Sequence, residues 1–378
     1  MANNRLEELR DAGQSIWLDS IDRTMLHNGD LERRIRDDAL TGMTSNPTIF
    51  QKALSQGTAY DEQLVGAPDG LESWQLFELV EAQDVRDACD RFAGVFSSTR
   101  GADGYVSIEV SPGVSNSVDD TLKEARRLWK AVDRPNVMVK VPGTEQGAVA
   151  VRRLICEGIN VNITLLFAIS AHERVIEAYI AGLEDRVRAH QPIDGLASVA
   201  SFFISRVDTE VDKRLDALAA KASPAEAERL GMLKGRAAIA NAKLAYKLFR
   251  EKFAGPRWDA LAKEGARVQR PLWASTSTKN PAYRDVMYVE ELIGPDTVNT
   301  MPPATIDAFR DHGAVARTVT QKVAAAEGVL REIEAAGISM KEVTDLLLTE
   351  GIASFQKSFD DLIGGLEAKA GTLAPGGK

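Results

Sequence analysis

The chain has 378 residues, of which 44% are hydrophobic and 27% are charged, a composition typical of a globular protein with a large core. Its formal net charge of −9 argues against a surface that binds nucleic acid or an anionic membrane, although a local basic cluster can still bind an anionic substrate. The length fits either two domains or one large α/β barrel, which typically takes ~250 residues plus insertions.

Short segments with the pattern of buried strands alternate with long helical segments along the chain. A helix over residues 6–12 precedes the first strand, and helical crossovers separate the later strands. Eight strands joined in this way predict a parallel (β/α)8 TIM barrel of the α/β class rather than an antiparallel sheet. The predicted strands are 15–18, 41–45, 105–110, 137–141, 161–165, 197–202, 271–275 and 298–301.

Two insertions exceed the length of an ordinary crossover, residues 47–104 after the second strand and residues 207–268 after the sixth. Each is long enough to hold more than one helix. In the second insertion, Ser223-Pro224-Ala225-Glu226 has the pattern of a capping box with proline at the first helical position, so we expect a helix to begin there.

A helical extension is predicted at the C-terminal side of the barrel. Ser339-Met340-Lys341-Glu342 has a capping pattern and should begin a long helix that runs to about residue 366. Residues 371–378 are rich in glycine and are expected to form a flexible tail. With no internal repeat and no interdomain linker, residues 1–378 are interpreted as a single barrel domain.

Cysteine and histidine usage gives no support for a disulfide or a metal site. Cys89 and Cys156 both lie in helix-like segments, and the four histidines are scattered, without HExxH or HxH spacing. We therefore expect two reduced thiols and no metal or other cofactor. The N-terminus lacks an apolar signal core, and the longest apolar run, residues 163–169, is too short to cross a bilayer, so a cytoplasmic location is expected.

One lysine interrupts an otherwise apolar strand. Side chains alternate across residues 136–142, so Lys140 shares a face with Met138, opposite three valines. An unpaired ammonium is costly to bury, so this lysine is expected to have a lowered pKa or a partner. A neutral, desolvated lysine amine is a nucleophile for a carbonyl carbon. The alternative is a side chain that leaves the strand and reaches solvent.

The same alternation separates polar from apolar side chains on at least six strands, and the polar face is assigned to the barrel interior. Trp17 and Trp273 are placed on this inward face as well. Barrel enzymes carry out their chemistry at the carboxyl ends of the strands, so converging carboxylates, amides and a lysine favour a reaction over a polar plug. The most polar inward residues, all late in their strands, are Asp19, Asn46, Glu109, Lys140, Asn162, Thr164 and Ser275.

Hydroxyl-rich segments follow strands six and seven, over residues 201–206 and 273–280. Hydroxyl groups beside a cation at this edge of a barrel suit a phosphate group, and a solvated loop is the alternative. The chain has neither a GxGxxG nor a GxxxxGK(S/T) motif, which argues against a dinucleotide or a P-loop nucleotide site.

Taken together, these motifs resemble those of the transaldolases. The resemblance runs from about residue 16 to about residue 301, and it is specific because six motifs keep their order. The length resembles the longer bacterial form of the enzyme. The motifs are Leu-Asp at 18–19, Thr-Ser-Asn-Pro-Thr at 44–48, Val-Ser-Ile-Glu-Val at 106–110, Val-Lys-Val-Pro-Gly-Thr at 139–144, Gly-Ile-Asn-Val-Asn-Ile-Thr-Leu-Leu-Phe at 158–167 and Ser-Phe-Phe-Ile-Ser-Arg at 201–206.

The resemblance implies a cofactor-free barrel enzyme of the pentose phosphate pathway. It would move a dihydroxyacetone unit from fructose 6-phosphate or sedoheptulose 7-phosphate to erythrose 4-phosphate or glyceraldehyde 3-phosphate. Lys140 would form a Schiff base with the donor ketone, and Asp19 would exchange a proton with the C4 hydroxyl. Glu109 and Thr164 would hold a water that moves protons during Schiff-base formation.

The resemblance also implies a set of substrate-binding residues, with one departure. The family has Ala-Ser-x-Arg after strand seven, whereas this chain has Ser277 at the arginine position and Lys279 two residues later. We expect Lys279 to supply the missing cation, although lysine lacks the fork geometry of arginine. The implied substrate-binding residues are Asn46 and Asn162 for hydroxyls, Ser201 and Phe203 beside them, and Arg206, Ser275 and Lys279 for phosphate.

Three alternatives stay open: a fructose-6-phosphate aldolase, a silent barrel that only binds sugar phosphates, and a metal-dependent aldolase, which the histidine usage disfavours. Aldolase-like relatives carry a glutamine and a tyrosine where this chain has Glu109 and Phe203, which favours the transferase. The expected partners are sugar phosphates, with no nucleic acid and no membrane. The expected state is a monomer or homodimer.

Overall fold

The computed structural model describes residues 4–55, 57–68 and 70–373, and in it eight parallel strands close into a barrel in chain order. All eight predicted strands are confirmed, with ends displaced by no more than one residue. The strands are β1 (Gln14–Asp19), β2 (Leu40–Thr44), β3 (Val106–Glu109), β4 (Val137–Pro142), β5 (Val161–Leu166), β6 (Ser198–Phe203), β7 (Arg270–Ala274) and β8 (Thr297–Met301).

Helices surround the barrel and fill both predicted insertions. The first precedes β1, the next two lie between β1 and β2, three more precede β3, four lie between β6 and β7, and three follow β8. The helices are α1 (Arg5–Asp11), α2 (Arg23–His27), α3 (Asp30–Asp37), α4 (Pro47–Ser55), α5 (Asp61–Val65), α6 (Ser73–Ser98), α7 (Val118–Val132), α8 (Glu145–Glu157), α9 (Ile169–Arg188), α10 (Ser205–Ala219), α11 (Pro224–Gly231), α12 (Ala237–Lys252), α13 (Pro256–Lys263), α14 (Met287–Glu290), α15 (Pro303–His312), α16 (Val323–Ala335) and α17 (Met340–Leu373).

The predicted helix starts are present, with one difference in detail. Ser223 caps α11 by accepting a hydrogen bond from the Glu226 backbone N–H at 3.4 Å. The Glu226 carboxylate instead pairs with Arg229 at 2.7 Å, because an arginine one turn away competes for it, so the reciprocal half of the capping box is not formed. The helix predicted to run to about residue 366 continues to Leu373, and residues 374–378 of the expected tail lie outside the described residues.

The amino-terminal end of the barrel is closed by a polar plug. Asp103 accepts hydrogen bonds from the Trp17 indole N–H at 2.8 Å and from the Ser15 hydroxyl, and Arg270 lies 3.5 Å from it. The Trp17 ring fills the interior so closely that a Cβ on Gly42 would lie 2.5 Å from it. This plug leaves the carboxyl ends of the strands as the open end of the barrel.

Trp273 does not face the interior, contrary to the sequence prediction. Its indole N–H donates to the Leu292 carbonyl at 3.0 Å, and its ring packs edge-on against Phe202 with centroids 6.3 Å apart. The prediction extended the alternation of β7 back from Ser275. Ser275 lies beyond the strand in the left-handed region (φ +56°), which resets the direction of its side chain and breaks the alternation.

Cys89 and Cys156 are free thiols that lie in helices, as predicted. In the described part of the chain, no helix combines the length and the apolar character that a membrane crossing requires. Within the same residues, no group of three or more His, Cys, Asp or Glu side chains is placed to hold a metal ion.

His172 should make the protein less stable in acid. It is fully buried in α9, its ring nitrogens have no hydrogen-bond partner among the described residues, and burial lowers its pKa from 6.5 to about 4. Between pH 6.5 and about 4, the unfolded chain therefore binds a proton at His172 and the folded chain does not. The free energy of unfolding should fall by about 3 kcal/mol as the pH drops through this window.

Denaturant unfolding of His172→Leu at pH 7 and pH 4.5 tests this expectation. The variant should lose most of the pH-dependent destabilisation, whereas leucine at His190, an exposed histidine, should leave it unchanged. An equal loss of stability in acid for the parent chain and His172→Leu would contradict the assignment.

Candidate active site

A cavity of about 290 Å³ opens at the carboxyl ends of the strands. It gathers residues from β1, β4, β5, β6 and the segments after β2 and β7, although they are far apart in sequence. Nine of the eleven residues predicted for the site line it. They are Asp19, Asn46, Lys140, Thr164, Ser201, Phe203, Arg206, Ser275 and Lys279.

Lys140 is buried and paired. Strand register places Glu109, Lys140 and Asn162 side by side on β3, β4 and β5. The Lys140 Nζ lies 3.2 Å from Glu109 Oε2 and donates to the Ser45 carbonyl oxygen at 3.1 Å. With only 5% of Lys140 exposed, the reading in which this side chain reaches solvent is wrong, and the pairing expected of a buried lysine is confirmed.

Glu109 lies behind Lys140 and does not itself line the cavity. Burial raises the pKa of its carboxyl group, and the Lys140 ammonium opposes that shift. Its Oε2 is close enough to Lys140 for an ion pair but lacks the geometry of a hydrogen bond. A carboxylate with a raised pKa is a suitable acceptor for the proton that a lysine must lose before it attacks a carbonyl.

Asp19 ends β1, lines the cavity and accepts a hydrogen bond from the Thr44 hydroxyl at 2.9 Å. Thr44 also contacts the Thr300 hydroxyl, which fixes its orientation. Burial raises the pKa of Asp19, and Lys140 opposes the shift most strongly, ahead of the Thr44 hydrogen bond and the charge of Lys279. A raised pKa makes a carboxylate a stronger base, which suits a group that takes and returns a proton during a reaction.

Thr164 presents a buried hydroxyl to the cavity. Its Oγ1 has no hydrogen-bond partner among the described residues, which leaves it available to a water or a substrate. The next residue, Leu165, has a left-handed backbone (φ +59°), and the β5–β6 register shifts at this point. A leucine in this region is strained, and such strain is frequent beside functional groups.

The two predicted asparagines differ in position. Asn46 caps α4 through its Oδ1, which accepts from the Ile49 N–H at 3.1 Å, so its NH2 group remains for a ligand. Asn162 lies deeper, donates to the Ser107 hydroxyl at 2.9 Å and accepts from the Ser201 hydroxyl at 2.7 Å. Asn162 therefore holds Ser201 and does not line the cavity, because it lies two residues before Thr164 on the same face of β5.

Basic side chains lie at one wall of the cavity. Arg206 lies in the first turn of α10 with its guanidinium 5.3 Å from the Phe203 ring centroid, and burial lowers its pKa while Asp19 and Glu350 oppose the shift. The Ser275 hydroxyl contacts the Ser205 hydroxyl at 2.9 Å.

Lys279 donates to the Ser277 hydroxyl at 2.9 Å. Ser277 occupies the position where the sequence pattern predicts an arginine, and Lys279 is hydrogen-bonded to it.

Sequence reasoning also missed lining residues that lie outside the predicted motifs, among them Lys52 and Phe355. Lys52 lies on α4, and Phe355 lies on α17, which packs on α4 through a Thr48–Ser358 hydrogen bond of 2.8 Å. A Cβ on Gly351 of α17 would lie 2.9 Å from the Leu165 side chain, so α17 crosses the site at close range. No local pattern marks Phe355 because only tertiary packing brings its helix to the cavity.

The chain is similar to known proteins over nearly its whole length. The family model described as "Transaldolase/Fructose-6-phosphate aldolase" matches residues 16–366. A protein named transaldolase 2 from Nostoc sp. (strain PCC 7120) is 45% identical, over 99% of this chain and 100% of its own length. Transaldolases from Thermobifida fusca and Mycobacterium marinum are 46% and 44% identical, over 95% and 98% of this chain and 96% and 99% of their own.

Proposed function

The chain belongs to the transaldolase/fructose-6-phosphate aldolase family, and from this premise we propose that it transfers a dihydroxyacetone unit between sugar phosphates through a Schiff base on Lys140. Its relatives match over the full length, and its function is that of a transaldolase, a transferase. The proposed donors are fructose 6-phosphate and sedoheptulose 7-phosphate, and the proposed acceptors are erythrose 4-phosphate and glyceraldehyde 3-phosphate. The observation that carries the proposal is a buried lysine paired with Glu109 beside Asp19.

In the first step the Lys140 proton passes to Glu109, and the neutral amine adds to the C2 carbonyl of the donor. Glu109 then returns its proton to the carbinolamine hydroxyl, which leaves as water to give the iminium, and the unpaired Thr164 hydroxyl can hold that water. The distance of 3.2 Å between Lys140 Nζ and Glu109 Oε2 places the carboxylate within reach of the lysine, and a water held by Glu109 and Thr164 would carry the proton between them.

In the second step Asp19 takes the proton of the C4 hydroxyl as the C3–C4 bond breaks. The bonding electrons flow into the iminium and give an enamine, and an aldose phosphate leaves. The acceptor aldehyde then enters, the enamine carbon attacks it, and Asp19 returns the proton to the new hydroxyl. The raised pKa of Asp19 supports both directions of this exchange.

Substrate binding is assigned to the walls of the cavity. Asn46 offers its NH2 group and Ser201 its hydroxyl to the hydroxyls of the three-carbon unit, with Asn162 fixing Ser201 from below. Arg206, Ser275 and Lys279 bind the phosphate at the wall formed after β6 and β7.

The fate of the enamine separates a transferase from an aldolase. An aldolase protonates the enamine and releases dihydroxyacetone, whereas a transferase keeps it until an aldose arrives. Phe203 lies at the cavity wall against Arg206 and Phe167 and has no hydroxyl with which to hold a protonating water. This favours transfer.

Product analysis with fructose 6-phosphate tests the transferase assignment. Free dihydroxyacetone should be scarce without an acceptor, and turnover should rise sharply when erythrose 4-phosphate is added. Phe203→Tyr should increase the released dihydroxyacetone, while tyrosine at Phe167, which packs on Phe203 but stands outside this cavity, should not. Equal release by the unmodified enzyme with and without acceptor would favour the aldolase.

Arg206→Ala should mainly raise the KM for phosphorylated donors. A charge-assisted hydrogen bond contributes about 1.5–3 kcal/mol, so a rise of roughly 10- to 150-fold is expected. Steady-state kinetics with fructose 6-phosphate and with fructose provide the comparison. If the two donors lose activity to the same extent, Arg206 does not bind the phosphate.

The proposal extends to the setting of the enzyme. Cys89 and Cys156 are both unpaired, which supports a reducing compartment such as the cytoplasm. A monomer or homodimer that acts on sugar phosphates, without nucleic acid or membrane, is the proposed working form.

A further inference from the structure

Lys279 lies on the wall between two cavities. It lines the active-site cavity, and it also lines a second cavity of about 250 Å³ together with Asp208, Asp212, Tyr283 and Tyr288. The loop after β7, residues 275–286, carries Lys279 along this wall. The contacts that hold this loop in place therefore determine which positions the Lys279 ammonium can reach.

Tyr283 ties the loop to α10. Its hydroxyl donates to Asp212 Oδ2, while Asp212 Oδ1 accepts from the Gly235 backbone N–H at 3.0 Å. Gly235 has φ +69°, and a Cβ on it would lie 2.8 Å from the Tyr283 ring. The ring thus packs directly on backbone, and both carboxylate oxygens of Asp212 are occupied.

Tyr288, in α14 directly after the loop, makes a second contact with α10, one helical turn closer to the active site. Its hydroxyl donates to Asp208 Oδ2 at 2.8 Å, and Asp208 Oδ1 accepts from the Ala238 backbone N–H at 2.8 Å. Asp208 and Tyr288 are each only 1% exposed. Because α10 begins at Ser205, this helix joins both ties to Arg206 at its first turn.

We propose that the pairs Tyr283–Asp212 and Tyr288–Asp208, together called the loop clamp, are positioning residues that hold Lys279 for the substrate phosphate. This inference rests on the phosphate role proposed for Lys279. A lysine is a point charge on a flexible stem and lacks the fixed fork of arginine, so the backbone that carries it must set its reach.

The loop clamp also keeps the lysine available for substrate. Asp208 and Asp212 line the second cavity beside Lys279, and a carboxylate without hydrogen-bond partners there would attract its ammonium more strongly than one that already accepts two hydrogen bonds. The tyrosine hydroxyls and backbone N–H groups occupy all four oxygens of the two carboxylates. In this chain the clamp thus compensates for the arginine that the loop lacks.

Tyr283→Phe removes one hydroxyl from the loop clamp and tests the proposal. The KM for fructose 6-phosphate should rise about three- to tenfold, the equivalent of one hydrogen bond, while kcat at saturation and kcat/KM for unphosphorylated fructose stay unchanged. Tyr288→Phe should act in the same direction. Tyr179→Phe is the matched control, because Tyr179 is a buried tyrosine whose hydroxyl donates to the Arg267 carbonyl away from the loop.

The same variants in a Lys279→Met background separate positioning from general stability. If the clamp acts through Lys279, Tyr283→Phe should add nothing to the higher KM of Lys279→Met. An undiminished further rise in KM, or equal losses on fructose and fructose 6-phosphate, would overturn the clamp. An unchanged KM in Lys279→Met alone would instead refute the phosphate role proposed for Lys279.

Discussion

Lys140→Met should abolish transfer, with a loss on the order of 10⁶-fold, the size seen when a covalent nucleophile is removed. Borohydride added to the unmodified enzyme with fructose 6-phosphate should leave a reduced three-carbon adduct on Lys140, which peptide mass spectrometry would locate. The variant should carry no adduct. Attachment to a different lysine in active enzyme would refute the Schiff-base assignment.

A control is needed because removing Lys140 also leaves Glu109 buried without its partner. Breaking a buried ion pair typically costs about 3–5 kcal/mol of stability, so the loss of activity must be separated from unfolding. Lys243 of α12 offers a comparison outside the cavity: it is 4% exposed and pairs at 3.0 Å with Glu291, whose side chain is 44% exposed, so its loss of stability should be smaller. Lys243→Met should lose stability but keep its turnover.

Asp19→Asn should slow turnover by about 10²–10⁴-fold without unfolding the barrel, since this is the usual contribution of a positioned acid–base group. Lys140 should still form the Schiff base, because Glu109 and not Asp19 is its direct partner. Borohydride should therefore trap the intact six-carbon donor on Lys140 in the variant, whereas the unmodified enzyme yields the three-carbon adduct.

The mass of the trapped adduct makes this test specific to C–C cleavage. Asp103→Asn is the control, because Asp103 also points into the barrel but belongs to the plug at its other end. That variant should keep a three-carbon adduct and near-normal turnover per folded molecule. A three-carbon adduct formed at the normal rate in Asp19→Asn would remove Asp19 from the cleavage step.

The strands could be predicted to within one residue because an apolar face towards the helices and a polar face towards the barrel interior leave a period-two pattern in the sequence. The same pattern placed Lys140, Glu109 and Asp19 at the site, since each lies late in its strand on the inward face. It failed at Trp273, where a single left-handed residue, Ser275, changed the side-chain direction. A backbone dihedral of this kind leaves no trace in hydrophobic alternation.

The sequence also did not predict how deep in the barrel each inward side chain lies. Asn162 and Thr164 share a face of β5, but only the structure separates the residue that touches the cavity from the one beneath it. Lys52 and Phe355 were missed for another reason. They reach the cavity through the packing of α4 on α17, a contact between segments about three hundred residues apart, to which no local pattern refers.

Because Phe355 lines the cavity but lies near the C-terminus, the cavity is completed late in the synthesis of the chain. Synthesis at about 5–20 residues per second separates the emergence of Asp19 from that of Phe355 by roughly 15–70 seconds. During that interval the nascent chain on the ribosome carries Asp19, and later Lys140, without α17 packed over them. The active-site cavity is complete only when α17 packs on the barrel, so the active site forms after nearly the whole chain has been synthesised.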